Sequence, residues 1–170
     1  VTLVLDANGE AVLTAAQIDG GSTDNCGVAS VDIAQADQNW DCSDIGTNTV
    51  MLTVTDDNGN TSTCDATVTV EDNSVPVFSC NDVTVSLDSN GDVSLDALQL
   101  FNSGGDNCTN ILNVSIFPDS FDCSQLGTNS VTVTVFDNQG NSDSCTSVVT
   151  VQDNDPPTIM CPENFTVSTD

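Results

Sequence analysis

The chain writes the same text twice. Residues 46–76, GTNTVMLTVTDDNGNTSTCDATVTVEDNSVP, match 127–157, GTNSVTVTVFDNQGNSDSCTSVVTVQDNDPP, without a gap and 81 residues later. Upstream, LDANGE (5–10) matches LDSNGD (87–92) and DNC (24–26) matches DNC (106–108), both at an offset of 82. A unit of this size written in tandem is an array of small domains, each of which must close its own core and abut a copy of itself. The expected units are 1–75, a first repeat without its opening strand; 76–157, a second; and 158–170, the opening of a third. The chain is therefore read as a window on a longer array.

Within each unit the pattern is β. VMLTVTD and VTVTVFD alternate apolar and polar residues, as half-buried strands do. DDNGN and DNQGN follow as Asp/Asn/Gly turns, and ATVTVED and SVVTVQD return. No stretch combines helical periodicity with caps, although LDALQLF (95–101) suits a single helical turn. Many short strands with turn punctuation predict an all-β fold of tandem immunoglobulin-like β-sandwiches. One Trp, six Phe and the Val/Ile/Leu set make a small core, and so small a sandwich needs covalent support.

Charge narrows function. The 26 Asp and Glu meet no Lys, Arg or His, for a net charge of −26. Without cationic side chains there is nothing to displace counterions from nucleic acid, and anionic lipid is disfavoured. No apolar run is long enough for a spanning helix. The expected partners are neighbouring repeats and other copies of the filament, not nucleic acid or a membrane interior. Trypsin-like proteases find no Lys or Arg to cut. The missing His, Lys, Arg and Tyr also remove triads, Schiff bases and phosphate clamps. A carboxylate pair for glycoside hydrolysis remains, but acids repeated in the turns of every unit suit a structural device, so no enzyme is expected.

Eight cysteines stand at 26, 42, 64, 80, 108, 123, 145 and 161, four per period. With no His and no Cys-x-x-Cys, disulfides in an oxidising, extracellular setting are favoured over zinc. Cys26–Cys42 and Cys108–Cys123 are local candidates. For the others, Cys80–Cys145 would tie the first strand of a unit to its last, whereas Cys64–Cys80 and Cys145–Cys161 would bridge consecutive units.

PVFSCNDVTVSLDSNGDV followed by VTVTVFDNQGNSDSCTSVVTV resembles the hyalin (HYR) repeat, an immunoglobulin-like extracellular module, over both periods and the stub of the third. DNCGVAS with WDCSDIGTNTV resembles its bacterial branch, found in long secreted surface proteins and gliding or adhesion filaments. The resemblance implies Cys80–Cys145, with Cys64 and Cys161 bonded to partners outside the window and no covalent bond crossing a linker. It implies a disulfide-stiffened stalk segment at the cell surface. A glycan- or protein-binding module is the alternative. Trp40, matched by Phe121 in the second copy, reads as core packing rather than a ligand platform.

An immunoglobulin-like chain enters at one pole and leaves at the other, so consecutive units meet pole to pole. The first junction would gather Asp6, Glu10, Asp72, Asn73, Asp106, Asn107 and Asp137. The second would gather Asp88, Asp92, Asp153 and Asp155. Such oxygen-rich sets suit Ca2+, which takes about six to eight oxygen ligands. VQDNDPP resembles the cadherin junction that clamps calcium between sandwiches, and VEDNSVP departs from it at Ser74. The competing reading is that Asp and Asn in turns bond their own backbone. Asn60, Asn107, Asn113 and Asn164 head Asn-x-Ser/Thr sequons, the glycosylation pattern.

Overall fold

The computed structural model describes residues 1–34, 38–108, 113–163 and 167. Strands dominate. The first module holds β1 (Thr2–Val4), β2 (Glu10–Val12), β3 (Val28–Ile33), β4 (Asn39–Asp41), β5 (Gly46–Asp56) and β6 (Thr61–Glu71). The second holds β7 (Val77–Cys80), β8 (Val83–Ser86), β9 (Asp92–Ser94), β10 (Phe101–Gly105), β11 (Asn113–Phe117), β12 (Ser120–Asp122), β13 (Gly127–Phe136) and β14 (Ser142–Gln152). The only helices described are short turns, among them α1 (Ala15–Ile18) and α2 (Ala97–Leu100).

Each module is organised by its long last hairpin. The alternation of apolar residues along β5 and β6 sends Val50, Leu52, Val68 and Val70 inward, and all four are buried. The turn closes on Asp56, whose carboxylate accepts the backbone N–H groups of Asn58 and Asn60 at 2.8 Å each. In the second module β13 and β14 repeat the arrangement around Asp137. Four-stranded sheets result, ordered β1-β6-β5-β3 and β11-β13-β14-β8. In each, the first strand runs parallel to the last.

The opposite layer is built from two-stranded pairs. β2 against β4 sets Trp40 opposite Ala11, and β9 against β12 sets Phe121 opposite Val93. Both aromatics are buried in the cores, Trp40 with Leu3, Leu13 and Val50, and Phe121 with Leu95 and Val131. Fully burying such a side chain contributes roughly 1.5–3 kcal/mol by area transfer. The helical turn expected at 95–101 forms as α2, capped by Asp96, and drives Leu100 into the core with no exposed surface. This is an all-β fold of tandem immunoglobulin-like sandwiches.

The modules differ at one edge. β7 pairs with β10 in the second module. Among the described residues the first has no such pair: the stretch 19–23, which matches β10, is not a strand, and Ser22, Thr23 and Cys64 line an open cleft.

The cystines require a correction. Cys80 on β7 bonds Cys145 on β14, joining the first strand of the second module to its last. The local pairs Cys26–Cys42 and Cys108–Cys123 do not form. Cys42 instead bonds Cys108, with Cα atoms 5.1 Å apart, and Cys26 and Cys123 are free thiols, as are Cys64 and Cys161. The expectation that no covalent bond crosses the linker is overturned as well, because Cys42 belongs to the first module and Cys108 to the second. The reason is strand length. β3 alone, six residues at about 3.3 Å each, separates Cys26 from the region of Cys42, so the two sulfurs serve opposite poles of one module. Cys108 and Cys123 are separated in the same way by β11.

Candidate metal centre at the seam between modules

The seam forms where the turn between β1 and β2 meets the loop after β10. Asp6 closes its own turn, accepting the N–H groups of Asn8 at 2.8 Å and Glu10 at 3.0 Å. These bonds, that of Glu10 first, hold its carboxyl below the ordinary aspartate value. The Asp6 backbone carbonyl faces the second module and accepts from Asn107 Nδ2 at 2.8 Å. Beside it Gly9 has φ +77°, and a Cβ there would lie 2.5 Å from Cys42 Sγ and 3.1 Å from the Asn107 carbonyl. Only glycine lets the chain turn and the cystine pass so closely.

On the other side of the seam the linker descends from β6. Asp72 is 3 % exposed, and its Oδ1 accepts the Ser74 N–H at 3.0 Å. Asn141 Nδ2 donates to the Asp72 carbonyl at 3.0 Å and to Asp137 Oδ2 at 2.8 Å. Asp137 is 7 % exposed and takes the N–H groups of Gln139 and Asn141 on Oδ1. Asp106, half-buried, accepts the Cys108 N–H on Oδ2 at 3.2 Å.

These contacts bring Asp72, Asp106 and Asp137 together, each offering an oxygen within 4.8 Å of the others. Asp72 Oδ2, Asp106 Oδ1 and Asn107 Oδ1 are buried without a hydrogen-bond donor. Two carboxylates at about 4 Å repel by roughly 1 kcal/mol in water and more as the dielectric falls. Unpaired buried oxygens add a desolvation cost. Neither cost has an internal remedy, because the chain has no Lys, Arg or His. An all-oxygen, trianionic, partly satisfied set fits a hard divalent cation of the calcium type.

The remaining candidates do not join this group. The carboxylate of Asp6 is spent on its own turn, and Asn73 is exposed. At the far end Asp88 repeats the Asp6 turn, accepting from Asn90 and Asp92, with its carboxyl lowered by those bonds, that of Asp92 first. Asp153 accepts the Asp155 N–H, and both residues are exposed. Of the sequons, Asn60 donates to Asp56, Asn107 is engaged in the seam, Asn113 is exposed on β11, and Asn164 lies outside the described residues. Sequence reasoning missed Asn141 as the residue that clamps two of the three acids. The pattern Asp-x-x-Gly-Asn, read only as a turn, was its signal.

No protein-family model matches the chain, and no curated protein matches it. Solved structures are similar to it only at low identity and low TM-score. The fibronectin(III)-like modules of Clostridium thermocellum CbhA are 10 % identical, with 93 % of this chain and 94 % of that one covered and a TM-score of 0.35. Human mucin-like protocadherin EC1-2 is 13 % identical over 89 % of this chain and 95 % of that one, with the same TM-score. For the extracellular cadherin domains 1–4 of protocadherin gamma B7 the identity is 17 %, the coverage 78 % of this chain and 41 % of that one, and the TM-score 0.35.

Proposed function

We propose that the chain is a structural segment of a long extracellular surface filament or adhesin stalk, built from hyalin-like repeats and stiffened at each seam by a cystine and a calcium ion. The observation that carries this reading is the trio of buried Asp72, half-buried Asp106 and buried Asp137, drawn from the linker and two loops of the next module. A cation there holds the exit of one module to the entry of the next. Bridging two bodies fixes their angle, and a fixed angle repeated along an array makes a rod. The disulfides support an oxidising, extracellular site. Trp40 lies in the core, which removes the aromatic platform a glycan-binding reading would use.

The experiment compares the whole chain in calcium and in EDTA. Calorimetry should show a lower melting temperature in EDTA, and small-angle scattering a wider spread of inter-module angles. If both stay unchanged, the calcium-stiffened stalk is wrong.

A further inference from the structure

The loop after β10 is gripped by the first module. β10 delivers it at Gly105, which pairs with Val77, and Asp106, Asn107 and Cys108 follow. Asn107 Nδ2 donates to the Asp6 carbonyl at 2.8 Å, and Cys108 bonds Cys42. Cys42 Sγ lies 3.6 Å from the Asn107 carbonyl and 3.7 Å from that of Gly9. A Cβ on Gly9 would stand 3.4 Å from Cys108 Sγ and closer still to Cys42. The cystine is therefore packed against the exit turn of one module and the backbone of the loop it secures.

The three acids of the seam differ in what positions them. Asp137 is held by its own hairpin turn, through the N–H groups of Gln139 and Asn141. Asp72 is held by the linker, through the Ser74 N–H, and by Asn141 on its carbonyl. These bonds involve neither the first module's turn nor a cysteine. Asp106 is instead tied to the cystine, because its Oδ2 accepts the Cys108 N–H at 3.2 Å. Its other oxygen, Oδ1, is buried without a donor and faces the cation's place. One carboxylate of the three thus rides on a half-cystine whose partner belongs to the other module.

We infer that the Cys42–Cys108 bond is a redox control on the cation site: the closed cystine keeps Asp106 in coordinating position, and its reduction releases it. The step is a thiol–disulfide exchange. A dithiol reductant gives up two electrons and two protons and leaves as a cyclic disulfide, and Cys42 and Cys108 become thiols. A bond has then become a non-bonded contact, so the sulfurs part. Gly9 leaves Cys42 little room, since even a Cβ there would be 2.5 Å from its sulfur. The displacement falls on Cys108 and, through its N–H, on Asp106. Linkage makes the effect reciprocal: the factor by which the cystine tightens the cation is the factor by which the cation protects the cystine from reduction. Such a joint is stiff where the medium is both oxidising and rich in calcium, and it loosens when either is withdrawn.

This control rests on the calcium reading of the seam given above, and the measurements tell failure of one from failure of the other. Calcium is titrated calorimetrically into the whole chain as wild type and as C42S/C108S. The variant should bind about tenfold more weakly, within the roughly 5–150-fold typical of coupled sites. Wild type is also equilibrated in dithiothreitol redox buffers with and without calcium, trapped by alkylation and mapped with proteases that cut at Asp and Glu. Saturating calcium should lower the Cys42–Cys108 potential by about 30 mV, the equivalent of tenfold for a two-electron couple, and leave Cys80–Cys145 in place. Equal calcium affinity in wild type and C42S/C108S, or a Cys42–Cys108 midpoint that calcium moves no more than that of Cys80–Cys145, overturns the redox control and leaves the calcium seam standing. A wild-type chain that binds no calcium overturns both.

Discussion

Asn141 Nδ2 lies 3.0 Å from the carbonyl of Asp72 and also holds the Asp137 carboxylate at 2.8 Å, so one amide of the last hairpin grips a linker residue 69 positions before it in the chain. N141A deletes both bonds and leaves their acceptors in a half-buried seam. A bond to a charged group contributes about 1.5–3 kcal/mol. Denaturant titration of the chain in calcium should show a loss of that order, with N141A also binding calcium more weakly by isothermal titration.

Neutralising one acid of the trio should change sign with the cation. D106N keeps an oxygen for the Cys108 N–H but removes one charge from the cluster. In EDTA the variant should melt at or above the wild-type temperature, because repulsion is relieved. In millimolar calcium it should melt below, because a ligand charge is lost. Calorimetry in the two buffers reads the crossing, and a parallel shift in both would deny the cluster an ion.

The two cystines should fail differently. Cys80–Cys145 closes a 65-residue separation inside the second module. Replacing both with Ala should cost about 2–4 kcal/mol of that module's stability. Cys42–Cys108 spans the seam, so C42S/C108S should leave each module's own unfolding nearly in place while widening the angle distribution seen by scattering.

Acid should weaken the cap that follows β4 and β12. Asp41 and Asp122 each accept the hydroxyl and N–H of a serine two residues on, Ser43 and Ser124, and the hydroxyl bond is the larger cause of their lowered pKa. A carboxyl depressed on folding adds stability above its ordinary value of 3.8 and loses it as pH falls through the folded value. The gap in melting temperature between wild type and D41N/D122N should therefore be full at pH 5 and shrink steadily below about pH 4.

Trp40 gives the first module its own probe, being the sole tryptophan. W40A should destabilise that module by about 3–5 kcal/mol, whereas W40F, which installs the residue the second module uses at Phe121, should cost less. Unfolding of the second module, followed by circular dichroism, should stay put in both variants.

Much of this was legible in the chain. Alternation along β5, β6, β13 and β14 fixes which residues face inward, because the strand period is two. The pairing of Trp40 with Phe121 across the repeat marks a core position, and both are buried. The Asp-rich turns announce themselves, and most behave as turns: Asp6, Asp56 and Asp88 spend their oxygens on backbone two and four residues ahead. Those are local rules, written in residues that are neighbours in sequence.

What only the tertiary structure decided lies between elements. Cys42 meets Cys108 rather than Cys26 because strands carry the latter to the opposite pole and the next module brings the former its partner. The same docking selects Asp72, Asp106 and Asp137 from a field of 26 acids by bringing an oxygen of each within 4.8 Å of the others. Spacing along a chain says which face a residue takes. Which faces then touch depends on how two rigid sandwiches seat against each other, and that contact is set by Gly9, Asn107 and Asn141 acting across the seam.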